Sequence, residues 1–281
     1  MKKISGFIIA LFFLQISYFA QGAREYPNRI VSLSPSITEI LYELGLGNKV
    51  VGVTDHCNFP EDVKSKAKVG GYLNTNYEAI ISLEPDLVIA QTVCGEEIKN
   101  VFDKAGIDYM IINTDTVDGI LDSIEKIGQR CGVEDRAKEI TAHIRKEVNQ
   151  LRGKAKGKHS KRIMIVVGRN RGSFDNLYIA GKGTFYDELL NILGCENAYA
   201  KNDISYPVLS IEGILRLNPE IIIEMLPNLP EVNKPEVIAE WSIFSDVDAV
   251  KNNKVYVFNQ DYVCIPGPRF TVILRDIAEA L

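Results

Sequence analysis

Residues 76–89 read NYEAIISLEPDLVI, and residues 210–223 read SIEGILRLNPEIII. Laid in register, Glu78 meets Glu212, Ile80 meets Ile214, Leu83 meets Leu217, Pro85 meets Pro219 and Ile89 meets Ile223; the acids Asp86 and Glu220 coincide as well. Upstream of each lies a second match, EILYELGLGN at residues 39–48 against ELLNILGCEN at residues 188–197. Two matches in the same order along the chain mean one architecture built twice.

Working outward, each half alternates short β-branched runs with helical patterns. In the first half, residues 29–33, 49–54, 87–90 and 109–112 read as buried strands, and Ile37, Ile40, Leu41 and Leu44 share one helical face. In the second, residues 162–167, 220–224 and 255–258 read as strands and residues 184–193 as a helix. This alternation predicts an α/β fold of two Rossmann-like lobes, each a parallel sheet covered on both faces, with a ligand cleft between them. Residues 134–151 contain neither Gly nor Pro and place Ile140, Ile144, Val148 and Leu151 on one helical stripe. The expected organisation is therefore an N-terminal lobe over residues 23–133, a single linking helix over 134–158 and a C-terminal lobe over 159–281. A helical link restricts the lobes to a small tilt.

The 281 residues carry 32 basic and 37 acidic side chains, a formal charge of −5, with 46% hydrophobic and 25% charged residues. This is a globular composition, without the cationic surface that nucleic acid demands. Lys2 and Lys3, the apolar run at residues 7–14 and the small residues Ala20 and Gly22 read as a secretory signal over residues 1–22, too short to span a bilayer. The segment has no cysteine to be lipidated. Cys57, Cys94, Cys131, Cys195 and Cys264 follow no zinc spacing, and their odd number leaves at least one unpaired. They are expected to be unpaired core or loop residues, although the spacing leaves open whether Cys57 meets Cys94.

Parallel sheets carry their binding loops at the C-terminal ends of the strands. Those loops hold Ser34, Pro35, Ser36 and Ile37; residues 55–59, with His56; residues 91–94; residues 168–174, with Phe174; and residues 259–269, with Asp261 and Arg269. Tyr72 and Tyr206 stand just ahead of the two repeated glutamate segments. Aromatic and short polar groups dominate, which suits gripping a sizeable molecule by stacking and a few hydrogen bonds. Ser36 and Glu39 have the spacing of a capping box. There is no G-x-S-x-G turn and no phosphate-binding glycine loop, so catalysis is not expected. The rival from another class is an exported hydrolase or metal-chelating enzyme built on His56 and Cys57. Glu78 and Glu212 follow the capping residues Asn76 and Ser210 by two positions. Two equivalent carboxylates, one per lobe, suit docking onto two arginines of a two-fold symmetric partner.

With these residues in view, the chain resembles the periplasmic substrate-binding proteins of ABC importers for vitamin B12, ferric siderophores and haem. The likeness is carried by RIVSLSPSITEILYELGLGNKVVGVTDHCNFP at residues 29–60, VGGYLNTNYEAIISLEPDLVIA at 69–90, GKGTFYDELLNILG at 181–194 and GPRF at 267–270. The T-D-H-C-N-F-P stretch followed by V-G-G-Y is most similar to the cobalamin-binding branch. The resemblance implies an extracytoplasmic monomer that captures a corrinoid between its lobes and delivers it to a membrane permease with its ATPase subunits, using no cofactor or resident metal of its own. Haem and ferric siderophores are the alternative ligands on the same scaffold. By analogy His56, Tyr72, Phe174, Tyr206 and Asp261 would contact the ligand, beside Ser34, Pro35 and Arg269 from the same loops. Glu78 and Glu212 would dock on the permease.

Overall fold

The computed structural model describes residues 26–71, 74–155, 160–201 and 204–281; the signal assigned to residues 1–22 and the last residues of the linking segment, 156–158, lie outside them. In the first lobe, the four β-branched runs become β1 (Ile30–Ser32), β2 (Val50–Val53), β4 (Leu87–Gln91) and β5 (Tyr109–Ile112), and a two-residue strand the pattern did not announce, β3 (Ala67–Lys68), joins them. They lie in the order β3-β2-β1-β4-β5, with every neighbouring pair parallel. The strand order reverses between β1 and β4, so the loops that leave these two strands part and open a crevice. The helices of this half are α1 (Pro35–Glu43), α2 (Tyr77–Ser82), α3 (Gly95–Ala105) and α4 (Val117–Cys131).

The second sheet departs from expectation. Its strands are β6 (Arg162–Gly168), β7 (Leu177–Ile179), β8 (Glu196–Asn197), β9 (Val208–Leu209), β10 (Ile221–Met225) and β11 (Val255–Phe258), in the order β11-β10-β6-β7-β9 with β8 beside β6. The β6, β8, β10 and β11 pairings are parallel, but β7 is antiparallel to both β6 and β9, so the sheet is mixed. The reason is the short connection over residues 169–176: a parallel crossover needs a dozen residues or more, so the chain returns antiparallel.

The linking helix is α5 (Glu134–Ala155), followed in the second lobe by α6 (Phe185–Ile192), α7 (Ile211–Leu217), α8 (Lys234–Glu240), α9 (Asp248–Lys251) and α10 (Phe270–Ala280). Gly132, at φ 75°, ends α4 and turns the chain into α5. A Cβ on Gly128 would lie 2.4 Å from that of Ala137, so glycine is what lets α4 and α5 pack closely. Ile140, Ile144 and Val148 of α5 join one hydrophobic core that includes Ile37 and Ile124 of the first lobe and Leu189 and Phe270 of the second. The lobes are thus sewn together along α5. Separate clusters fill the other faces of the two sheets, around Phe102 in the first lobe and Trp241 in the second.

Candidate functional site

The floor of the first-lobe crevice starts at Ser34. Pro35 occupies the first helical position, where its missing N–H costs nothing, and this makes Ser34 the N-cap, its Oγ accepting from the Ile37 N–H at 3.3 Å. The expected Ser36–Glu39 capping box does not form, because Ser36 already lies inside the helix and Glu39 points elsewhere. At the adjacent end of β4, Gln91 Nε2 lies 3.2 Å from Ser34 Oγ, 2.8 Å from Ser36 Oγ and 3.1 Å from Thr114 Oγ1. The crevice floor is therefore a neutral cluster of amide and hydroxyl groups. Behind it, the Cys57 thiol is buried and free, 3.0 Å from Thr54 Oγ1 and 3.2 Å from Thr38 Oγ1.

His56 is exposed and leans on the Gly70–Gly71 turn, since a Cβ on Gly71 would sit 3.6 Å from its Nε2. Gly70 has φ 84°, and a Cβ there would be 2.3 Å from the Asn74 carbonyl oxygen, so the turn requires glycine. Tyr72 falls outside the described residues.

From the second lobe, Arg269 crosses the gap. Its Nε and Nη2 donate to Glu39 at 3.0 and 2.6 Å, and Nη1 and Nη2 donate to Asp261 at 3.0 Å each. The guanidinium also stacks 3.9 Å from the ring centre of Phe59, a first-lobe residue, and 5.3 Å from that of Tyr262. Burial works against the charge of Arg269, but hydrogen bonds to Glu39 and Asp261 outweigh it and raise its pKa. Burial raises Glu39 as well, and the hydrogen bond and charge of Arg269 only partly offset this. The bidentate geometry favours the ionised pair.

Tyr206 is 46% exposed. Its phenol pKa is raised by partial burial and by the charges of Cys264 of its own lobe and, across the gap, Asp115, which follows β5. Phe174 is a correction: it is 6% exposed and belongs to the core of its lobe, edge-on to Trp241 and Phe244 at 4.8 and 4.7 Å. It is drawn inward by Arg169, whose guanidinium sits 4.7 Å above its ring. Ser34, Pro35, Asp261 and Arg269 lie together where the lobes meet. Phe59 and Gln91, from loops already expected at the cleft, join them, and so does Glu39, expected only as a partner in helix capping. The matched position of Glu39 in the repeat was the available signal.

Glu78 and Glu212 sit on twin pedestals. Asn76 Oδ1 accepts from the Ala79 N–H at 3.0 Å and Ser210 Oγ from the Gly213 N–H at 3.2 Å, so each glutamate is the second residue of its helix. Both are exposed. Hydrogen bonds from its own backbone N–H and the Ser210 hydroxyl hold the Glu212 carboxyl below the ordinary range. The far ends of the helices are fixed alike. Arg29 donates to the carbonyls of Leu83 and Glu84, and Arg162 to those of Leu217 and Asn218. Glu84 and Asn218 both take positive φ, 45° and 41°. Asp86 then accepts from the Arg29 N–H at 2.9 Å and Glu220 from the Arg162 N–H at 3.0 Å. In such βαβ units the helices run against the strands, so their N-termini share the cleft-loop end of each lobe. One exposed apolar side chain follows each glutamate by three positions, Ile81 (43%) and Leu215 (45%).

Among known proteins, the family model described as periplasmic binding protein matches residues 30–262. An uncharacterized ABC transporter substrate-binding lipoprotein, YvrC of Bacillus subtilis (strain 168), is 34% identical over 266 residues, spanning 92% of this chain and 81% of that one. A vitamin B12-binding protein of Vibrio campbellii is 30% identical over 275 residues, 97% of this chain and 94% of its own. The periplasmic heme-binding protein RhuT from Roseiflexus sp. RS-1, solved in apo form, superposes with a TM-score of 0.78 at 25% identity, covering 90% of this chain and 97% of that one.

Proposed function

The chain belongs to the periplasmic binding protein family, and from that premise we propose that it captures a corrinoid between its two lobes and delivers it to an ABC permease. Substrate-binding proteins of ABC transporters work with a membrane permease and an ATPase. The action is placed outside the cytoplasmic membrane, in keeping with the relatives; among the described residues no helix is long and apolar enough to cross a membrane. Affinity comes from burial of ring surface, about 25 cal/mol per Å² less the cost of association.

One observation carries the choice of ligand: the arginine at the mouth of the cleft is already neutralised by two carboxylates, Glu39 and Asp261. Asp115 adds acid across the gap from Tyr206, and the floor is amide and hydroxyl. A haem presents propionates, and this arginine, already held by two carboxylates, has no charge to spare for them. A corrin ring fringed with neutral carboxamides meets matching donors and acceptors. Titration with cyanocobalamin, haemin and a ferric siderophore, followed by absorbance, tests this. Tight cyanocobalamin binding is expected, and tight haemin binding without it would overturn the reading.

Docking falls to Glu78 and Glu212, with Ile81 and Leu215 as apolar neighbours of the contact. The double variant Glu78→Ala, Glu212→Ala is expected to keep ligand affinity within about twofold while uptake into permease-containing vesicles is lost. A large loss of affinity would instead assign the pair to the cleft.

A further inference from the structure

The duplication places a second pair of glutamates in register, Glu39 of α1 and Glu188 of α6, and both leave their own lobe. Glu39 accepts from Arg269, the residue that caps the start of α10. Glu188 Oε2 accepts the backbone N–H of Val117, the first residue of α4, at 2.6 Å. Helices α4 and α10 are counterparts too, each following the last parallel strand of its sheet, β5 and β11. The same carboxylate in each half thus grips the start of the final helix of the other half. The two contacts flank α5: Val117 and Glu188 line a groove on one side with Arg145, and Glu43 and Arg269 line a groove on the other with Arg136. Both are charge-assisted, one to a guanidinium and one to the positive end of a 15-residue helix.

We propose that Glu39 and Glu188 are positioning residues, a matched pair of ties between the lobes that sets the width of the cleft and slows ligand release. The α5 core restrains translation of the lobes but leaves rotation about the helix axis, and ties on both sides oppose rotation in either sense. The inference rests on the cleft being the ligand site, as proposed above, but the width itself is measurable with no ligand present.

Spin labels on ketone-bearing residues introduced at exposed Lys99 in one lobe and Asp246 in the other report that width by pulsed electron resonance. Glu188→Ala and Glu39→Ala are each expected to broaden and lengthen the distance distribution and to speed cyanocobalamin release about tenfold. Glu188→Gln, which keeps an acceptor oxygen, should restore a near wild-type distribution. Val117→Pro is the most direct variant, because proline is tolerated at the first helical position and removes the donated N–H while leaving an apolar side chain against the core; Thr116 before it is already extended, at φ −132° and ψ 159°. An unchanged distribution in folded Val117→Pro and Glu39→Ala proteins would overturn the ties. A widened distribution with unaltered release would overturn their role in retention. Failure of the protein to bind cyanocobalamin would strike the ligand reading alone, leaving the distances to decide this one.

Discussion

Arg169 has no exposed side-chain surface, and neither does its partner Glu224. Its Nε and Nη2 donate to Glu224 at 2.7 and 3.1 Å, a further nitrogen approaches Glu240 at 2.5 Å, and Trp241 Nε1 donates to Glu224 at 2.8 Å. Removing one member of a buried ion pair strands the other. Arg169→Leu is therefore expected to lose about 3–5 kcal/mol of stability, read from the urea midpoint. A second residue-scale prediction concerns acid. Hydrogen bonds from the Lys161 side chain and the Arg162 backbone hold Glu220 below its usual 4.5. A lowered carboxylate contributes stability above its unfolded pKa and loses it as pH falls through the folded one. Because the pair is partly exposed, Glu220→Gln should cost only about 0.5 kcal/mol at pH 7. That gap from wild type should close as denaturation is followed below pH 4.5.

At the scale of elements, α2 and α7 have only two turns each and would not hold a fixed direction alone. The Arg29 and Arg162 forks onto their last carbonyls supply the missing anchor. Arg29→Ala and Arg162→Ala together should leave cyanocobalamin affinity near wild type and reduce vesicle uptake several-fold, since Glu78 and Glu212 would keep their charge but lose their aim. Equal uptake by the variant and the wild type would show that the pedestals need no bracing.

Over the whole molecule, the shared core along α5 makes the lobes one cooperative unit. A single calorimetric transition is expected, with a calorimetric enthalpy matching the van't Hoff value. Ile144→Ala, at a position 5% exposed, should lower that one transition by about 2–5 kcal/mol without splitting it. Two separated transitions would mean that the lobes fold independently.

Much of this was written along the chain. The matches of residues 76–89 to 210–223 and of 39–48 to 188–197 announced two α/β halves, and Asn76, Glu78, Ser210 and Glu212 occupy the cap and second-residue positions that local hydrogen bonding dictates. Periodicity placed Ile140, Ile144 and Val148 on the buried side of α5. These features follow from neighbours within a turn or a strand, and sequence reports neighbours well. The direction of β7, the inward turn of Phe174 towards Arg169 and the reach of Glu39 and Glu188 into the opposite lobe depend on groups far away in the chain. Periodicity and capping rules carry no information about such partners, because a side chain's final bond is set by which surfaces packing brings together. The sequence by itself determined the duplicated halves and the paired acidic helices; tertiary structure alone decided which charges remain open to a ligand and which are spent holding the lobes to one another.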